Sequence, residues 1–317
     1  MAGYTALHES AAWLDISSRG RIGAGGEDRL RLLHAIASNA VEGLAPGQGT
    51  YAFFLNAQGR IQADSHIFVC EDRVLIDCEP EIRQALREHI ESYIIMDDVQ
   101  LEDLTASSAT LTMEAVALEG PRAEDIAYAA VGDALPEPAP YSHRESRGIR
   151  TLRGTLSGQA GLWFFCSPDR KAQLIETLEA AGAAAASMDD FRVVRVENRR
   201  PRFGEDYSSS NIPHETGLLQ AVSFSKGCYL GQEIVERVRA RGQVNKLLVS
   251  LELDTQQPLE AGAAVHCAGQ AVGRLSSPVF SPRRRKVLAF AILRREAAAA
   301  GAEVTVGGVS GRVLPLA

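Results

Sequence analysis

The sequence predicts an α+β protein: a duplicated body in which helices pack on antiparallel sheets, followed by a small C-terminal β-barrel. Three observations predict it. A strand–strand–helix order occurs twice, over 50–93 and again over 149–182. Within each pass the apolar residues repeat every second position in the strands and at 3.6-residue spacing in the helices. After Asn245 the chain changes to short β-type runs separated by Gly, Pro and charged turns, the pattern of a barrel. The division this implies is a body over residues 1–243 and a barrel over 244–317.

The elements follow in order. Glu27-Asp28 suits a helix N-terminus, and Leu30, Leu33, Ile36 and Ala37 continue at helical spacing. Residues 50–55 read as a strand, and Asn56-Ala57-Gln58-Gly59 as a turn. Ile61, Ala63, Ile67 and Val69 then alternate with polar neighbours, which places Asp64 and His66 on one face of a single strand. A strand over 74–76 leads to Pro80, which fits a helix start. Ile82, Ala85, Leu86, His89, Ile90 and Tyr93 form an amphipathic helix. Strands over 99–101 and 109–118 and a helix ending at Val131 close the first pass. Residues 132–148, with Pro136, Pro138 and Pro140, read as a connecting loop. The second pass has strands over 149–156 and 162–166, then a helix opened by Ser167-Pro168 and ending at Gly182. Ser187 opens a further helix over 188–197. Strands are expected over 247–253, 264–267, 272–275, 287–293, 303–306 and 309–314, with a helix over 294–300.

A chain of 317 residues is long enough for two domains. No apolar run approaches the ~20 residues of a membrane span, so no membrane association is expected. Residues 1–16 contain Glu9 and Asp15 and lack the basic-then-apolar pattern of a secretory signal. The five cysteines are odd in number and form no C-x-x-C pair. Free thiols in a reducing, cytoplasmic setting are expected, without a metal site. The net charge of −7 argues against a nucleic-acid partner. One stretch departs from that charge: Lys226, Arg237, Arg239, Arg241 and Lys246 face only Glu233 and Glu236. It reads as a solvated face, or as a landing site for an anionic ligand tail or an acidic partner.

The most specific motif is Lys226-Gly227-Cys228-Tyr229-Leu230-Gly231-Gln232-Glu233. A lysine beside a cysteine favours the thiolate, and the glycines permit geometry that a Cβ would obstruct. The other reading is a packed cysteine at a turn. The segment resembles the signature of the YgfZ family of folate-binding proteins, relatives of the glycine-cleavage aminomethyltransferase (T-protein). The resemblance extends over nearly the whole chain: Leu14-Asp15 with Gly20-Arg21-Ile22, Gly49-Thr50-Tyr51, Gly59-Arg60-Ile61, Arg195-Val196-Glu197, Gly204-Glu205-Asp206, Pro213 through Leu218, and Gly273-Arg274. It implies a folate-binding body with a C-terminal barrel, and tetrahydrofolate or a one-carbon derivative as cofactor. It also implies support for iron–sulfur proteins, with iron–sulfur client or assembly proteins as partners.

Aminomethyltransferases carry two adjacent aspartates in the hairpin strand; here the pair is Ala63-Asp64. The resemblance makes Asp64 an acid/base or amine-orienting group, the other reading being a polar residue on a wet strand face. It makes Glu197 a pterin anchor, since one carboxylate can accept from two ring N–H groups; a salt bridge to Arg199 or Arg202 is the other reading. Tyr51 and Tyr207 are candidates to stack on the ligand rings. Lys226 and Arg237 are candidates for its anionic tail, and Cys228 for thiol chemistry. Cys228 and Ala63 favour the accessory role, and Asp64 favours the alternative, a folate-dependent aminomethyltransferase.

Overall fold

The alternation along 61–69 sets the layering of the body. Ala63, Ile67 and Val69 join one apolar cluster and Phe68 another, so the sheet that carries them is covered on both faces. The computed structural model describes residues 2–105 and 112–314. The first half runs through α1 (Ala2–Glu9), β1 (Ala12–Asp15), β2 (Gly20–Gly25), α2 (Arg29–Ile36), β3 (Gly49–Leu55), β4 (Ile61–Val69), β5 (Val74–Cys78), α3 (Arg83–Glu91) and β6 (Gln100–Asp103). The second has β7 (Glu114–Glu119), α4 (Ala123–Val131), β8 (His143–Ser146), β9 (Ile149–Arg153), β10 (Gly161–Cys166), α5 (Pro168–Ala180), β11 (Ala184–Ala185) and α6 (Met188–Glu197).

Two sheets result. Strands β3-β4-β5-β2-β6 form an antiparallel sheet. Strands β11-β1-β7-β10-β9-β8 form the other, antiparallel apart from the β1–β11 pair. The sheets face each other across Leu14, Phe68, Leu75, Ala117, Trp163 and Phe165. Helices α2 and α3 cover the outer face of the first, through Leu33, Ile36, Leu86 and Ile90. Helices α4 and α5 cover the outer face of the second, through Ile126, Leu174 and Leu178. The α+β class is therefore as expected, but the halves are interlocked: β1 belongs to the second sheet and β2 to the first.

The departures have local causes. The expected loop over 132–148 contains β8, which pairs with β9 through a turn at Arg147 (φ 53) and Gly148 (φ 72). Two consecutive positive φ values are what a two-residue hairpin needs, and the three upstream prolines concealed it. The strand expected over 109–118 is β7; positions 109–111 lie outside the described residues. Helix α6 occupies 188–197 as expected, opened by a capping box of Ser187 and Asp190. After α7 (Pro213–Thr216) and α8 (Gln232–Arg241), six strands close the barrel: β12 (Lys246–Leu253), β13 (Ala264–Cys267), β14 (Gln270–Ser281), β15 (Lys286–Arg294), β16 (Glu303–Val306) and β17 (Val309–Leu314). The helix expected over 294–300 is a single 3₁₀ turn at Arg295–Ala297. Among the described residues no helix is long and apolar enough to cross a membrane.

Candidate functional site

The β3–β4 hairpin, β5, α6 and the segment after it enclose a cavity of about 330 Å³. Its walls carry Arg19, Tyr51, Asp64, His66, Asp77 and Arg200. Register explains the first group: Tyr51 lies opposite His66 and Phe53 opposite Asp64, so the hairpin turns its polar residues to the cavity while Ala63 faces the helices. The two expected neighbours, Asp64 and His66, do share that wall.

Asp64 Oδ2 accepts hydrogen bonds from Tyr51 Oη at 2.5 Å and Tyr207 Oη at 2.8 Å, and the two phenols lie 3.2 Å apart. Burial pushes the Asp64 carboxyl above the ordinary aspartate range, against the opposing effect of the two phenols. The same burial, with the Asp64 charge, pushes both tyrosines well up. Both phenols are thus held on Asp64 through their hydroxyls. Tyr51 lines the cavity, whereas Tyr207 packs between Phe53 and Phe203 and is not among the lining residues.

A second wall is ionic. Arg19 binds Asp77 Oδ1 through Nε at 2.8 Å and Glu79 Oε1 at 2.6 Å, and its guanidinium lies 5.4 Å from the Trp163 ring centroid. Glu79 Oε2 in turn takes Arg202 Nε at 2.8 Å. Burial alone would raise Glu79, yet Arg19 and Arg202 hold it below the usual range. Asp77 is completely buried; its pKa is raised by burial, although Arg19 opposes the shift. Asp77 Oδ2 has no hydrogen-bond partner among the described residues, and neither has either ring nitrogen of the buried His66. Burial, then the charges of Arg19 and Arg200, drive the His66 pKa well down, so the imidazole is neutral.

Arg200 reaches the cavity because α6 ends there. Arg199 takes a left-handed φ of 55 and Pro201 follows, so the helix cannot continue. The Arg200 guanidinium makes none of the ion pairs found among the described residues.

The other expected site residues lie elsewhere. Glu197 is not among the lining residues: its carboxylate accepts from Tyr4 Oη at 2.8 Å, His8 Nε2 at 2.8 Å and Ser281 Oγ at 2.5 Å, joining α1, α6 and the barrel. Its neighbours in the motif are equally engaged. Arg195 binds Asp206 at 2.6 Å and Ser277 at 2.9 Å, and Asp206 accepts from Ser276 at 2.9 Å. Lys226 Nζ donates to the carbonyls of His34, Ala37 (2.7 Å) and Asn39 (3.1 Å) at the end of α2. Burial brings its pKa down to about 8. Lys226 is therefore committed to backbone carbonyls rather than to a thiol or a ligand tail. Arg237 is exposed on α8 and pairs with Glu233 one turn away.

Cys228 is exposed, while Cys70, Cys78 and Cys166 are buried. Its loop is docked on the turn of the cavity hairpin. Gly231 has φ +80, and a Cβ there would meet the Asn56 carbonyl oxygen at 2.6 Å and Gly59 Cα at 3.1 Å. Both glycines of that contact are required by close approach. The sequence reasoning missed Arg19, Asp77, Glu79 and Arg200. Asp77 had a visible signal, a carboxylate in an otherwise apolar strand.

Comparison with known proteins agrees with this architecture. Residues 2–226 match the GCVT N-terminal domain and residues 246–316 the glycine cleavage T-protein C-terminal barrel domain. The chain belongs to the glycine-cleavage T-protein family. It is 28% identical over 93% of its length to a chloroplastic protein of Arabidopsis thaliana that carries a transferase name, covering 68% of that protein. It is 26% identical to the aminomethyltransferase of a Synechocystis strain, over 96% of this chain and 82% of that one. In fold it resembles the glycine cleavage system aminomethyltransferase T of Bartonella henselae, with a TM-score of 0.88, 21% identity, and coverage of 99% of this chain and 88% of the other.

Proposed function

We propose that this chain is a tetrahydrofolate-binding, cytoplasmic protein of the YgfZ branch that assists assembly or repair of iron–sulfur proteins, with the body over 1–243 holding the folate and the barrel over 244–317 bracing it. The observation that carries the reading is Cys228. It is the exposed cysteine of a glycine-flanked loop seated directly on the hairpin that lines the cavity. Folate in the cavity and a thiol beside its hairpin would then share one structural element. The residues present fit a reduced folate. The buried Asp64 carboxyl, its pKa raised by burial, can exchange a proton with a ring nitrogen at its carboxyl oxygen. Asp77 Oδ2 and the His66 nitrogens supply unused hydrogen-bonding capacity, and Arg200 supplies a positive charge for an acidic tail. When bound, the folate would supply a one-carbon carrier; the protein's part is to orient it, exclude water and hold the proton at Asp64. Glu197 enters this reading as a brace between α1, α6 and the barrel, since a pterin would have to displace three protein donors to reach it.

A second reading, aminomethyl transfer onto tetrahydrofolate, rests on Asp64 and on the aminomethyltransferase relatives. Calorimetric titration with tetrahydrofolate, paired with turnover on an aminomethyl-lipoyl donor, separates the two. Binding without turnover, together with loss of iron–sulfur enzyme activity in cells carrying Cys228→Ser, supports the accessory role. Turnover that survives Cys228→Ser establishes the transferase instead, and absence of binding removes both. Maleimide labelling adds a check on the thiol. Cys228 should react well before Cys70 and Cys166, whose thiols burial pushes up to about 11.

A further inference from the structure

The outer face of the barrel gathers cations that the fold leaves unmatched. Lys246 at the start of β12 lies directly opposite Arg294 at the end of β15. Arg274 of β14 lies opposite Ile292, two positions from Arg294 and so on the same face. Opposed residues of an antiparallel pair start about 5 Å apart and diagonal ones about 7–8 Å, so the three charges share one patch. Like charges facing each other on a ladder are destabilising unless an acid stands beside them. Lys246 and Arg294 are exposed and have no hydrogen-bond or ion-pair partner among the described residues. Arg274 gives one donor to the Gly262 carbonyl at 3.1 Å, and its neighbour on β13 is Ala264. Other cations of the same barrel are matched: Lys286 lies 2.7 Å from Asp254, and Arg312 lies 2.7 Å from Glu252.

The patch lines a cleft of about 570 Å³, distinct from the central cavity. The two carboxylates of that cleft are already neutralised: Glu205 by Arg192 and Arg195, and Asp206 by Arg195 at 2.6 Å. Lys246 and Arg294 also line an adjoining cleft, which adds Arg295 and one acid, Glu296; that acid makes no ion pair among the described residues. The whole chain carries a net charge of −7, so this local excess of positive charge runs against its background.

We propose that this cleft is a binding site for a small molecule carrying a diphosphate. A side-by-side Lys–Arg pair with a third cation on the diagonal calls for several negative charges in one compact group. A single carboxylate brings one, whereas each phosphate brings more than one and offers the oxygens that an Arg fork and a Lys ammonium grip. The half-buried Ile292 beside Arg274 gives an apolar surface for the organic part, and the volume is that of an ordinary small-molecule site.

Calorimetric titration of the full chain with ADP and with inorganic diphosphate, at low and at high salt, tests it. Both probes should bind, more weakly at high salt, and ADP should bind more tightly than diphosphate if its organic part rests on Ile292. Lys246→Gln and Arg294→Gln should each lower the ADP affinity about tenfold or more. Each should keep or raise the thermal midpoint without ligand, because it removes a repulsion; a purely structural role predicts a lower midpoint. Arg87→Gln, the same charge change on α3, should leave ADP binding unchanged. Absence of binding by either probe at low salt overturns the proposal, and so does an equal loss of affinity in Arg87→Gln. Competition between tetrahydrofolate and ADP also overturns it, by placing the anion in the central cavity. A poly-glutamate peptide that binds more tightly than ADP, and is lost in the same two variants, overturns it in favour of an acidic protein partner.

Discussion

Replacing Glu197 with Ala should destabilise the protein and leave the cavity's ligand affinity nearly intact. The carboxylate takes three hydrogen bonds, from Tyr4, His8 and Ser281, that join the N-terminal helix, α6 and the barrel. The His8 proton is on Nε2. Nδ1 lies 2.9 Å from the Arg283 guanidinium and 3.4 Å from the Gln159 amide nitrogen, both donors, so it must accept. A hydrogen bond to a charged group is worth about 1.5–3 kcal/mol. The three bonds do not add in full, since they share one carboxylate, although Tyr4 and Ser281 are buried donors that are left unpaired. A loss of about 3–5 kcal/mol is expected, the scale of breaking a largely buried charged contact. Set against a total stability of about 5–15 kcal/mol, the variant still folds at room temperature. Urea unfolding should show the midpoint falling with the m-value unchanged. Glu197→Gln should lie between, because its amide NH₂ meets a donor that the carboxylate accepted. If Glu197→Ala unfolds at the parent's urea midpoint while tetrahydrofolate affinity drops tenfold or more, the bracing role is wrong. Glu197 would then be the pterin anchor that the sequence motif suggested.

Asp64→Asn should make the protein more stable at pH 7 than the parent. The folded-state pKa of Asp64 is raised by burial, so its contribution is fully present below the unfolded value of about 3.9 and is lost as pH rises through the folded value. The stability gap between variant and parent should therefore widen with rising pH above about 4, and a gap that narrows would contradict the burial argument. Lys226→Met should cost about 2–4 kcal/mol, because carbonyls at the end of α2 lose their shared donor. Equal denaturation midpoints for variant and parent would return Lys226 to the ligand-binding role.

Much of this protein was legible in its sequence, and the reason is that the legible parts are local. The period of two along 61–69 fixed that Asp64 and His66 share a face, since side-chain alternation needs no tertiary information. Ser187 marked the start of α6, where the structure shows a capping box with Asp190, and short β runs spaced by turns marked the barrel. The interlocking of the halves was hidden, because β1 and β2 are separated only by the short segment around Ser17 and choose different sheets by long-range pairing. β8 was hidden because its turn depends on two positive φ values behind a proline-rich stretch. The site divides in the same way. Asp64 could be read from its strand, but whether Glu197, Lys226 or Arg200 faces the cavity depends on which partners the fold brings within hydrogen-bonding distance. Tyr4, His8 and Ser281 reach Glu197 from positions far away in the chain, and the end of α2 captures Lys226. Arg200 faces the cavity because Arg199 and Pro201 stop the helix beside it. Sequence thus determined which residue types were available and the face each local element presents. Burial and long-range contacts alone decided which of those charges remained free to meet a ligand.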